Sequence, residues 1–114
     1  MALAIGILDV DAGSQNISVV GTLTASGSYS TGGDTLDFTS VSNQIGASLA
    51  PLQVWVAGST GDAYAFVRAA APTLANGKLK VNTASNAELA NGAYPSRITG
   101  DTNIQFEAIF QKLL

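Results

Sequence analysis

The chain has 114 residues, 46% apolar and 11% charged, with eight acidic and five basic side chains for a net charge of −3, and it contains neither cysteine nor histidine. That length makes one domain able to bury about two-thirds of its unfolded surface. The missing thiols and imidazoles exclude disulfides, thiolate chemistry, Ser-His-Asp triads and Cys- or His-based metal sites.

Five scattered cations make no basic stripe for a phosphate backbone, so nucleic acid is not an expected partner. The first apolar run, "ALAIGIL", is too short to cross a bilayer and lacks the basic region of a signal peptide, and no later run reaches membrane length. We expect a soluble chain without a secretion signal or a membrane partner.

Read in order, the hydrophobic period is two almost everywhere, with Gly, Asn, Ser and Pro punctuating it about every ten residues. "MALAIGILDV" sets Leu3, Ile5 and Ile7 on one side ahead of a turn at Asp11-Ala12-Gly13. Residues 1–10 are therefore either an edge strand of the domain's own sheet or an arm that adds to a neighbour's edge. "NISVVGTLTASG" offers Ile17, Val19, Gly21 and Leu23 to one face, and "TLDFT" turns Leu36 and Phe38 inward with Asp37 outward. "VSNQIGASLAPL" predicts a short helix stopped by Pro51.

"LQVWVAG" alternates Leu52, Val54 and Val56 against Gln53, Trp55 and Ala57, and "GDAYAFVRA" follows a Gly61-Asp62 turn. Asn76-Gly77 predicts a tight hairpin turn into "KLKVNT", with Leu79 and Val81 inward and Lys78 and Lys80 outward. "SNAELANG" predicts one helical turn capped by Ser85 or Asn86 and ended at Asn91-Gly92. The closing "NIQFEAIFQK" is the cleanest alternation: Ile104, Phe106, Ala108 and Phe110 against Gln105, Glu107, Ile109 and Gln111. The expected fold is all-β, a single-domain antiparallel β-sandwich or jelly roll over residues 1–114 with short helical turns, and strand 103–111 placed centrally.

The one stretch that invites a chemical reading is "SYSTGGDTLDFTS", residues 28–40. A phosphate-binding glycine loop follows a strand, opens a helix and often carries a Lys; here the glycines open a strand, no Lys follows and Asp34 would repel the anion. Asp34 and Asp37 with Asp62 or Asp101 suggest an oxygen cage for calcium, but the D-x-D-x-D-G spacing is missing, and residues three apart on a strand point to opposite faces. The reading we adopt gives Gly32 and Gly33 the positive φ angles of a turn, with Asp34 bonding backbone there and Asp37 on an outer face. A glycosidase would need two carboxyls about 5–10 Å apart in a cleft, which a domain of this size rarely has. We expect no catalytic residue, no metal and no cofactor.

The phrases "GTLTASGSYSTGGDTLDFTS", "GKLKV", "AELANGAYPSRI" and "NIQFEAIFQK", in that order from Gly21 onward, resemble the small capsid decoration, or cement, proteins of tailed bacteriophages. The resemblance implies a non-enzymatic virion protein, made in the host bacterial cytoplasm. It would be commonly a homotrimer, seated on the outer capsid surface, clamping neighbouring major capsid protein subunits and stabilising the shell. The apolar N-terminus departs from any shared pattern, since such families differ greatly there.

The residues suit a clamp on their own account. A surface of Ser, Thr, Asn and small side chains loses little entropy when ordered at an interface, whereas each Lys or Glu would lose up to about 2 kcal/mol. Leu3, Ile5, Ile7, Asp37 and Trp55 are the residues we expect at a partner's surface. The rival reading takes Trp55, Tyr64 and Tyr94 as a stacking platform for sugars in a carbohydrate-binding module. A third makes the chain a tail or head-tail connector component, separable by oligomer symmetry.

Overall fold

A computed structural model describes residues 3–13 and 15–111; Met1 and Ala2 of the N-terminal segment and Lys112 of the closing phrase lie outside them. The longest alternating stretches become the longest strands. β1 (Leu3–Ala12) and β2 (Asn16–Ala25) form an antiparallel hairpin, Leu3 opposite Ala25 and Ala12 opposite Ile17. The N-terminal segment is thus an edge strand of its own sheet. β3 (Ser28–Tyr29) and β4 (Asp34–Leu36) flank the Gly-Gly turn. A 3-10 turn (Thr39–Val41) and α1 (Ser42–Ile45) lead to β5 (Pro51–Ala57) and β6 (Ala63–Val67). β7 (Gly77–Asn82), β8 (Gly92–Ala93), α2 (Ser96–Thr99) and β9 (Ile104–Gln111) complete the order.

Seven strands form one antiparallel sheet in the order β1-β2-β9-β5-β6-β7-β4, while β3 and β8 pair separately. β9 lies inside the sheet, between β2 and β5 along most of its length. β5 and β6 share a single pair, Ala57 with Ala63. The sheet therefore parts into a four-stranded layer (β1-β2-β9-β5) and a three-stranded layer (β6-β7-β4), curling until the edge strands β1 and β4 approach. The fold is all-β and sandwich-like, with the short helical turns at the ends of the layers.

Period two explains the core. Ile17, Val19 and Leu23 of β2, Ile104, Phe106, Ala108 and Phe110 of β9, and Leu79 and Val81 of β7 all face inward and are buried. Phe38, fully buried, meets the Phe106 ring at 5.8 Å and 64° and the Phe110 ring at 5.1 Å and 86°. Such edge-to-face pairs add about 0.5–1.5 kcal/mol each beyond their burial. Gly21, also inward, leaves room where a Cβ would stand 2.6 Å from Phe106 Cε1 and run into the Gly6 carbonyl of β1. Among the glycines, this is where an added Cβ would come nearest to another atom.

Four local expectations are corrected. Leu52 does not face inward, because a bulge between Pro51 and Gln53 leaves it unpaired and 38% exposed. α1 is a single turn closed by Gly46 in the left-handed conformation (φ 70°), well before Pro51. Asn76-Gly77 is not a hairpin turn: Gly77 already belongs to β7. Asn76 instead folds the connection before it, accepting from Thr73 N–H (2.8 Å) and donating to the Ala71 carbonyl (2.9 Å). "SNAELANG" forms no helix. Asn86 sits at φ 66°, Leu89 N–H donates to the Val81 carbonyl (2.9 Å), and Glu88 bridges to Asn82, so the segment doubles back along β7. The helical turn starts at Ser96, four residues beyond that segment, where the Pro95 carbonyl accepts from Ile98 N–H (2.9 Å) and Thr99 N–H (3.1 Å).

Candidate functional site

Residues 30–33 make a turn in which Gly33 N–H donates to the Ser30 carbonyl (3.0 Å), with Gly32 at φ 94° and Gly33 at φ 108°. Each remaining turn amide donates to a side chain of the same protein. Ser30 N–H reaches Asp34 Oδ1 (3.2 Å), Thr31 N–H reaches Asn91 Oδ1 (2.6 Å), and Gly32 N–H reaches Glu88 Oε2 (2.6 Å). A phosphate would find these donors taken and two carboxylates beside them. Tyr29 Oη donates to Glu88 Oε2 (2.8 Å) and accepts from Val81 N–H (3.2 Å), while the Tyr94 hydroxyl donates to Asp34 Oδ2. The two rings meet edge to face at 5.7 Å. The "STGGD" and "ELANGAY" phrases thus form a polar clamp joining β3, β4, β7 and β8. The Gly32 amide, then the Tyr29 hydroxyl, hold the Glu88 carboxyl below the usual carboxylate range. Burial, then the bond to Asp34, pushes the Tyr94 phenol up.

The other aspartates are committed elsewhere. Asp62, buried, takes a forked pair from Arg97, Nη2 to Oδ1 at 3.0 Å and Nε to Oδ2 at 3.1 Å. Asp101 accepts from Ser59 Oγ (2.6 Å), Ser59 N–H (2.8 Å) and Asn103 N–H (2.9 Å); the two Ser59 groups lead in holding its carboxyl low. Asp37 accepts from Thr39 Oγ1 (2.6 Å) and Thr39 N–H (2.9 Å) as a local turn. Among the described residues no three acidic side chains gather where one cation would reach them all.

What stands open is the outer face of the four-stranded layer. Register places Val20, Glu107 and Trp55 side by side across β2, β9 and β5. A bulge between Ile7 and Asp9 sets both Leu8 and Asp9 opposite Val20. Leu8 is 62% exposed, Trp55 49% and Val20 37%. Trp55 and Val20 border a shallow depression of about 380 Å³ floored by Val56 and Phe106 and edged by Ala57, Gln105 and Glu107. The second bulge adds Leu52 to the neighbouring row, next to Gln53 and opposite half-buried Ile109. The β5 bulge thus delivers Leu52 to a surface that strict alternation would have left more polar, while the β1 bulge keeps Leu8 outward and turns Asp9 outward and Val10 toward the core.

No protein-family model, no curated protein and no solved structure matches this chain. Function is therefore argued from the surfaces. Of the five residues expected at a partner, Trp55 is on the open face, Asp37 lies in its own turn, Leu3 is buried, and Ile5 and Ile7 pack against the core. The aromatic platform of Trp55, Tyr64 and Tyr94 is not assembled. Tyr94 is buried in the clamp, and Tyr64 packs inward with its hydroxyl enclosed and unpartnered. Burial first, then the charges of Asp62 and Asp101, pushes the Tyr64 phenol up to about 12. The alternating pattern sets Val20 with Ser18, Thr22 and Thr24 on the outer face, where the structure has it, and puts Leu8 on the side opposite Leu3, Ile5 and Ile7, but neither was singled out as a contact. Leu52 was set inward, since a bulge leaves no mark on an alternating pattern.

Proposed function

We propose that the chain is a non-enzymatic structural protein of a tailed-bacteriophage virion, a decoration protein that binds the outer capsid surface as an oligomer and stabilises the shell. The observation that supports it most is the exposed row across four strands in which Leu8, Val20 and Trp55 stand beside Asp9 and Glu107, large apolar side chains that folding does not require outside and that another protein surface would cover. Five of the eight acidic groups are taken up in structural hydrogen bonds and the sequence holds no histidine or cysteine, which supports the non-enzymatic reading.

The test is co-sedimentation with expanded capsids of the phage that encodes it. Binding is expected to survive a rise from about 50 to 200 mM salt with little loss, because contact rather than phosphate-type charge pairing carries it. Trp55→Ala is expected to weaken binding by about thirtyfold, the size of a central aromatic anchor. A chain that ignores expanded capsids, yet is held on a polysaccharide column through Trp55, would establish the carbohydrate-binding alternative instead.

A further inference from the structure

The charges of the two layers are sorted by face. Five of the eight acidic residues carry structural hydrogen bonds: Asp34, Asp37, Asp62, Glu88 and Asp101. The three that make none among the described residues lie on the outer face of the four-stranded layer, Asp9 and Glu107 in the row that holds Leu8, Val20 and Trp55 and Asp11 in the neighbouring row of Ser18, Ile109 and Gln53. No cation of β1, β2, β5 or β9 among the described residues accompanies them.

The outer face of the three-stranded layer is the reverse. On β6, Ala63, Ala65 and Val67 point outward, a flat apolar strip whose Val67 is 43% exposed. Beside it on β7, Lys78 stands opposite Val67 and Lys80 opposite Ala65. The strands β6, β7 and β4 put no acid on that side, since Asp34 pairs with inward Leu79; the acid near Lys80 is Glu88, from the segment that doubles back along β7 and already held by Gly32 and Tyr29. The curl of the sheet turns the two faces away from each other, so they cannot meet within one chain.

Resting on the oligomeric reading above, we propose that a second copy of the chain, rather than the shell itself, covers the open face, so that Trp55 supports shell binding by holding the oligomer together. The acidic strip Leu8–Val20–Trp55 of one copy packs on the Ala65–Val67 strip of the next, with Asp9 and Glu107 facing Lys78 and Lys80. Apolar contact supplies the affinity, and the charges fix which face meets which, since like charges brought together oppose docking strongly. Two different faces make the contact heterologous, so copies add head to tail and form a ring where the rotation closes.

The experiment is a charge swap read by light scattering and sedimentation. The native chain is expected to have a mass that is a multiple of 11.6 kDa. The variant Asp9→Lys/Glu107→Lys carries two basic faces and the variant Lys78→Glu/Lys80→Glu two acidic ones. Each alone is expected to self-associate at least about tenfold more weakly, and an equimolar mixture is expected to re-associate into assemblies in which the variants alternate, of the native mass where the ring holds an even number of copies. Circular dichroism checks that both remain folded, and Trp55→Ala gives an independent loss without a charge change. A native chain that stays monomeric, swapped variants that assemble as well as the native chain, or a mixture that stays dissociated would each overturn the proposal. Capsid co-sedimentation of the same samples separates the two ideas: binding by a monomer, or by an oligomer indifferent to the swap, would leave the shell-binding reading standing, and no binding by an assembled native chain would overturn that reading alone.

Discussion

Adding one carbon at Gly21 tests the glycine where a Cβ has least room. Gly21 has no positive φ, so alanine fits the backbone, and by propensity alone the change would stabilise the strand by about 0.5–1 kcal/mol. Packing opposes it: the new Cβ would stand 2.6 Å from Phe106 Cε1 and 2.8 Å from Cζ, and would strike the Gly6 carbonyl. A ring can tilt, but the carbonyl belongs to β1, so relief requires the edge strand to move off β2. Overpacking of this kind costs about 1–3 kcal/mol, and with a rigid backbone atom as the obstacle we expect Gly21→Ala to be net destabilising by about 2 kcal/mol. At about 2.1 cal/mol/K per residue the unfolding entropy of a chain this long translates that into a fall in Tm of roughly 8 °C. Thermal and urea denaturation measure the cost, and hydrogen exchange locates it: the β1 amides should lose protection while those of β9 keep theirs. An unchanged or higher Tm would refute the close approach of β1 to Gly21.

Phe106→Ala removes a ring that is 2% exposed and stacked on Phe38, and should cost about 3–5 kcal/mol in urea unfolding; below about 1 kcal/mol, the inward face of β9 would be misassigned. In alkali, Tyr94 and Tyr64 are neutral in the fold with phenols raised by burial, so their contribution is intact below the ordinary tyrosine value of about 10 and is lost as pH climbs through the folded values. A Tm unchanged between about pH 9 and 11 would contradict this. In acid the sign reverses: Glu88 and Asp101, held low by their hydrogen bonds, stabilise above the ordinary carboxylate range and lose that contribution as pH falls through their lower folded values. Glu88→Gln should flatten part of the acid slope measured by Tm against pH.

Legibility followed range along the chain. The inward sets of β2 and β9 were readable because alternation is a local consequence of the pleat, and both strands keep one face dry along their whole length. Leu52, and the reversal that turns Asp9 outward and Val10 inward, were not, because a bulge is set by how two strands fit, and each strand alone still reads as alternating. "SNAELANG" misled in the opposite way. Its Ala, Glu and Leu favour a helix locally, but Glu88 is drawn to Gly32 and Tyr29 more than fifty residues earlier and Leu89 into the core. The Gly32-Gly33 turn was legible as a turn, since only its glycines and Asp34 were needed to see it. Its role in a clamp was not, because Asn91, Glu88 and Tyr94 reach it from about sixty residues away.

The seat of β9 between β2 and β5 has a consequence for how the protein is made. Its register runs from Asn16 opposite Gln111 to Leu23 opposite Ile104, so the ribosome must finish the final strand before the middle of the larger layer exists. Until then the nascent chain holds β2 and β5 as two unjoined edges with their apolar faces uncovered, the condition in which β-rich chains are most prone to pair with one another. Closing that gap joins residues nearly a hundred positions apart, the non-local kind of contact that slows folding to milliseconds or longer. β9 therefore enters the sheet by insertion rather than by extension, and a chain cut short before Ile104 has an empty slot between β2 and β5.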